Sequence, residues 1–165
     1  MKLFLVRHAE RANDSENSSL SNLGQTQAAV LGERIRDGLL EMAGVEDGDW
    51  GDRRPRLVVL SSNYPRARQT AEIVAEMLEV ESVEQNEIFG SLPKRLLRLD
   101  LMKELINRQE ADVVIVVTHL PTVIHLFAGL AGIDKQAESK LEVGLAEGIF
   151  LDLETKETRR FLGAV

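Results

Sequence analysis

The run DVVIVVTH at 112–119 places five consecutive branched apolar residues side by side, with no polar residue between them. A strand with one wet face alternates apolar and polar positions. An unbroken run this short therefore reads as a strand buried on both faces, the kind found where helices cover both sides of a largely parallel sheet. KLFLV at 2–6 and RLVVLSS at 56–62 are further buried strands. Between them, LSNLGQTQAAVLGERIRDGLLEM carries Leu23, Ala28, Leu31, Ile35, Leu39 and Met42 at near-helical spacing, with Ser21 as N-cap. Gly32 and Gly38 weaken that helix without forbidding it.

The alternation continues along the chain. YPRARQTAEIVAEML is a helix with Pro65 in its first turn, and SVEQNEIFGSLP is a short strand and a loop. PKRLLRLDLMKELINRQ is an amphipathic helix over 93–109, and LPTVIHLFAGLAG is a helix ending in glycine. GIFLDLETKETRRFLGA, 148–164, alternates about a polar turn as a hairpin. The expected fold is α/β: a three-layer α/β/α sandwich with a mostly parallel central sheet and an antiparallel edge hairpin. At 165 residues, with no repeat or linker, the chain reads as a single domain over 1–165.

Composition removes several functions. No cysteine is present, which excludes disulfides, thiolate metal sites and cysteine catalysis. A formal net charge of −7 argues against a nucleic-acid-coating protein but not against one small basic pocket. No apolar stretch reaches membrane-spanning length and no signal peptide is evident, so a cytoplasmic protein without a membrane partner is expected. The Asp-rich segment AGVEDGDWGDRRP lacks EF-hand spacing and reads as a solvated loop. Three histidines without a helix-borne ligand spacing give no metal site, and neither a G-x-G-x-x-G nor a Walker sequence is present. No cofactor is expected.

Three apolar strands end in chemistry-bearing residues. The first runs into Arg7-His8, the second into a helix whose first turn holds Arg66, and the strongest into Thr118-His119. In an open α/β sheet, ligands bind outside the carboxyl ends of the strands. If the three ends are neighbours, two arginines and two histidines converge and call for an anion, and guanidinium groups match phosphate oxygens best. His125 falls in the middle of a helix and is assigned a structural part. Lys94, Arg95 and Arg98 form a solvated helix face, or else a basic rim favouring an acidic substrate.

FLVRHAE, LSNLGQTQA, SSNYPRARQTAEIVAE, NEIFG and VVTHLP, in this order over about three-quarters of the chain, resemble the histidine phosphatase superfamily, the phosphoglycerate-mutase-like proteins. In size, and in THLP, the chain is similar to the short SixA-like phosphohistidine phosphatases. The resemblance implies phosphoryl transfer through a covalent phosphohistidine. His8 would be the nucleophile, and Arg7, Arg66 and His119 would bind the phosphoryl oxygens. Glu87 would be the general acid, with Glu84 as the competing carboxylate. Asn13 or its neighbour Asp14 would contact phosphate, and Ser21 would be a further substrate contact. Where the family often has glycine after Arg-His, this chain has Ala9. The implied function is a metal-independent phosphatase acting on a phosphorylated small molecule or a phosphohistidine-bearing protein. A phosphoglycerate-type mutase and an inactive phosphate-binding module are the alternatives, and the shortness of the chain counts against the mutase.

Overall fold

A computed structural model describes residues 1–45 and 49–161. Six strands form one sheet in the order β3-β2-β4-β1-β5-β6. They are β1 (Lys2–Arg7), β2 (Leu57–Ser61), β3 (Val83–Gln85), β4 (Val113–Thr118), β5 (Gly148–Asp152) and β6 (Thr158–Phe161). β1, β4, β2 and β3 pair in parallel, while β5 and β6 complete the sheet in antiparallel register. β4 is buried at all six positions, as its unbroken apolar run requires.

Alternate residues of each strand feed two separate cores. Phe4, Val6, Val59, Ile115 and Val117 pack beneath α1 (Asn22–Ala43) and α2 (Pro65–Met77). Leu3, Leu5, Leu60, Val114 and Val116 pack beneath α3 (Leu99–Asn107) and α4 (Thr122–Ala131). The architecture is the expected three-layer sandwich, mostly parallel with an antiparallel edge. Among the described residues no helix is long and apolar enough to cross a membrane.

Local signals explain most boundaries. Ser21 caps α1, its Oγ accepting from Gly24 N–H at 2.9 Å. Gly32 in mid-helix serves packing: a Cβ there would meet the Met77 side chain at 2.7 Å, so its absence lets α1 and α2 approach closely. Pro65 occupies the first turn of α2, where its missing N–H costs nothing.

The expected helix over 93–109 is a correction. Only a 3-10 turn, Lys94–Leu96, forms at its start; Leu97 is extended, and α3 begins at Leu99. Lys94 is drawn away to Glu138 of α5 (Lys135–Glu138), at 3.1 Å, which the helical periodicity could not reveal. Within the AGVEDGDWGDRRP loop, residues 46–48 lie outside the described residues, as do 162–164 of the expected hairpin.

Candidate active site

Parallel pairing of β1, β4 and β2 brings their carboxyl ends to one edge of the sheet. His8 N–H donates to the Thr118 carbonyl at 2.9 Å and Ser62 N–H to the Val117 carbonyl at 3.1 Å, so three strand exits are stitched side by side. His8 and His119 are consequently neighbours, with ring centroids 4.9 Å apart. Arg66, on the first turn of α2, reaches the same place and donates from Nε to His8 Nε2 at 3.2 Å. Arg7, His8, Arg66 and His119 line one cleft of about 450 Å³. His8 and Arg66 are buried, and His119 is 1% exposed.

Hydrogen bonding fixes the proton of the His8 imidazole and anchors the ring of His119. His8 Nδ1 lies 2.7 Å from the carbonyl oxygen of Ala9, an acceptor only, so Nδ1 carries the proton. Nε2 then presents its lone pair, to which Arg66 donates. His119 Nε2 sits 2.7 Å from Ser62 Oγ, which in turn accepts from Tyr64 N–H at 3.4 Å. Ser62 thus engages Nε2 and leaves Nδ1 as the unpaired nitrogen of His119. The buried His119 Nδ1 and the buried Arg7 Nε have no partner among the described residues. Buried polar groups without partners are rare. Two in one cationic cleft fit a tetrahedral oxyanion.

The surroundings hold both rings neutral. Burial pushes His8 down to about 4; the Ala9 carbonyl, next in weight, pulls upward, and Arg66, Arg7 and Arg11 each push down further. Burial, followed by His8, Arg66 and Arg7, pushes His119 down to about 2. A neutral imidazole with its lone pair on Nε2 can act as a nucleophile at physiological pH once the Arg66 N–H turns from it to a phosphoryl oxygen.

The backbone behind these groups is firmly tied. Thr70 Oγ1 accepts from Ala9 N–H at 3.0 Å and donates to the Arg66 carbonyl at 2.7 Å, joining the nucleophile's loop to α2. Arg7 Nη1 donates to the Val143 carbonyl at 3.0 Å, and Arg7 N–H to the Glu147 carbonyl at 2.9 Å. Ala146, in the left-handed region at φ 51°, donates its N–H to the His8 carbonyl at 3.1 Å.

Glu87 opens the 3-10 turn Glu87–Phe89 after β3 and lines a second, larger groove of about 750 Å³ together with Glu16, Tyr64 and Arg98. It does not line the cationic cleft. Glu84 is exposed on β3, in register with Leu60, and lines neither cavity. Asn13 is not brought to the cleft: its Oδ1 accepts from Ser15 N–H at 2.9 Å in an exposed turn. Asp14 does line the cleft, held 2.8 Å from Arg11 Nη2. Ser21 is committed elsewhere, capping α1 and donating to Glu10 Oε2 at 2.5 Å. His125 lies away from the cleft on α4, its Nδ1 against the Glu138 carboxylate.

Arg11, Glu16, Ser62, Tyr64 and Thr70 were missed by sequence reasoning. Arg11 stands four residues after Arg7, in the segment that follows β1, a signal that could have been weighed as a third guanidinium. Nothing in the sequence marks the partners of the other four.

Among the described residues no three His, Asp or Glu side chains converge as a metal site. The family model described as histidine phosphatase superfamily (branch 1) matches residues 3–89. No curated protein sequence matches. Among solved structures, SixA from Agrobacterium tumefaciens is 19% identical, covers 99% of this chain and 97% of its own, and superposes with a TM-score of 0.68. The protein histidine phosphatase SixA complexed with tungstate is 22% identical, covers 99% and 96%, and gives 0.69. A mycobacterial glucosyl-3-phosphoglycerate phosphatase complexed with VO3 is 18% identical, covers 98% and 97%, and gives 0.66. At these identities the likeness concerns the fold, while the family match spans more than half the sequence, including the Arg7-His8 and Arg66 segments. The chain belongs to the histidine phosphatase superfamily, and its class is that of a phosphatase hydrolase.

Proposed function

We propose that the protein hydrolyses a phosphomonoester or a protein phosphohistidine through a covalent phosphohistidine on His8, without a metal ion. The observation that carries this reading is the state of His8: proton on Nδ1, lone pair on Nε2, and Nε2 beside the Arg66 guanidinium. In the first step the Nε2 lone pair forms a bond to phosphorus as the bond to the leaving oxygen or nitrogen breaks. Arg7, Arg66 and His119 take the equatorial oxygens, where transition-state charge accumulates. In the second step water attacks phosphorus, the N–P bond breaks, its electron pair returns to Nε2, and orthophosphate leaves.

Glu87 supplies the proton to the leaving group and then accepts one from water. Its place in the groove beside the cleft supports that assignment over Glu84, which lines neither cavity. The names of the structural relatives, a protein histidine phosphatase and a glucosyl-3-phosphoglycerate phosphatase, support both substrate classes.

Phosphate release from an aryl phosphate, with and without chelator, tests the reading. Activity is expected to survive chelation and to fall by about three orders of magnitude or more in His8→Ala. A His8→Ala protein as active as the wild type would overturn it. Glu87→Gln is expected to slow poor leaving groups more than good ones; a selective loss in Glu84→Gln instead would reassign the acid.

A further inference from the structure

The cleft and the groove beside it carry opposite electrical character. Arg7, Arg11 and Arg66 face the cleft, against Glu10 and Asp14. The groove holds the carboxylates of Glu16 and Glu87 and the carboxamides of Asn17, Asn63 and Asn86. Its one guanidinium, Arg98, lies 3.4 Å from Asp100 and is offset by it. Lys94, which could have made the rim basic, pairs with Glu138 instead. Leu92 and Leu101 add apolar lining, with Leu101 38% exposed.

Tyr64 is the partition between the two spaces. Its ring stands edge-on to His119 at 5.1 Å, with the Arg66 guanidinium carbon 5.0 Å from its centroid. Its hydroxyl donates to Glu16 Oε1 at 2.8 Å, and Arg66 Nη1 donates to the Glu16 carbonyl at 2.6 Å. Glu16 is thereby tied to Arg66 of the cleft and to Tyr64 of the groove.

We propose that this groove is the leaving-group subsite and that it selects substrates whose leaving group is neutral or cationic, turning away those with a further carboxylate or phosphate. The inference rests on the phosphatase reading and narrows it. A dianionic phosphoryl group joined to a protonated amine or a basic, partly apolar peptide matches the polarity across Tyr64. A bisphosphate or a phosphorylated carboxylic acid would set its second anion against the Glu16 carboxylate, and would do so even with Glu87 protonated to serve as the acid. In a half-solvated groove each misplaced unit charge changes relative reactivity by about tenfold.

Phenyl phosphates bearing a para trimethylammonium, carbamoyl or carboxylate group test this, read as kcat/KM. The wild type is expected to favour the cation over the carboxylate by about tenfold or more. Intrinsic leaving-group reactivity cancels when variants are compared on the same pair. Glu16→Gln, which keeps an acceptor for the Tyr64 hydroxyl, is expected to shrink the preference about tenfold, and Arg98→Glu to widen it. Binding of the matching phenylphosphonates is measured alongside, and the same charge order is expected. A wild-type preference for the carboxylate, or a ratio unchanged in both variants, would overturn the inference. Charge-ordered phosphonate binding without any turnover would instead sink the phosphatase reading and leave the groove assignment standing.

Discussion

Acidification tests the electrostatics of the cleft through stability. His8 and His119 are buried as neutral rings beside guanidinium groups, with values pushed to about 4 and about 2 from an ordinary 6.5. A depressed folded-state value means that the unfolded chain binds protons the native state refuses. The stability is fully present above pH 6.5 and is lost as the pH falls below it, saturating for each ring at its folded value. At pH 5 the unfolded chain carries a proton on nearly every imidazole, while both native rings remain neutral. Each ring then costs about 2 kcal/mol and the pair about 4 kcal/mol, a large share of an ordinary stability of about 5–15 kcal/mol. Urea unfolding at pH 7.5, 6.5 and 5.0 reads this directly, and His119→Gln is expected to remove about half of the dependence. Orthophosphate should also narrow the gap, because an anion among the guanidiniums lets the rings protonate. Equal stability at pH 7.5 and 5.0, or an NMR titration of either ring above pH 6, would refute the argument.

Two substitutions probe the supports of the site. In Gly24→Ala the new Cβ would fall 2.0 Å from the Glu10 carbonyl oxygen, a backbone atom of the loop that carries His8. A loss of about 1–3 kcal/mol in urea unfolding, with reduced turnover, is expected. Arg160 Nη2 donates to the Glu142 carbonyl at 2.8 Å and lies 3.3 Å from Glu147 Oε2, bracing the loop whose Val143 carbonyl holds Arg7. Arg160→Ala is expected to raise KM about threefold while kcat changes less; an unchanged KM would show that the brace does not matter to Arg7.

The sheet was legible because its strands announce themselves: DVVIVV has nowhere to go but the interior, and KLFLV and LVVLS read almost as plainly. The convergence of His8, Arg66 and His119 was legible for the same reason, since residues at parallel strand ends must share an edge. The misread helix depended on a partner distant in sequence. Residues 93–98 have helical periodicity, yet Lys94 is held by Glu138, more than forty residues on, and Leu97 is extended. Asn13 and Ser21 looked available because an asparagine in a turn and a serine before a helix are local motifs. Their hydrogen bonds are consumed by the turn and the cap. The Ser62–His119 and Thr70–Ala9 bonds, and the Arg7 support near Val143, leave no periodic trace at all.

The most direct test of the account is to quench the enzyme in mid-turnover with a labelled aryl phosphate and locate the bound phosphorus. The account predicts an acid-labile, alkali-stable phosphoramidate on the peptide containing His8, with its phosphorus on Nε2. Labelled phosphate release with no such adduct, continuing undiminished in His8→Ala, would contradict it.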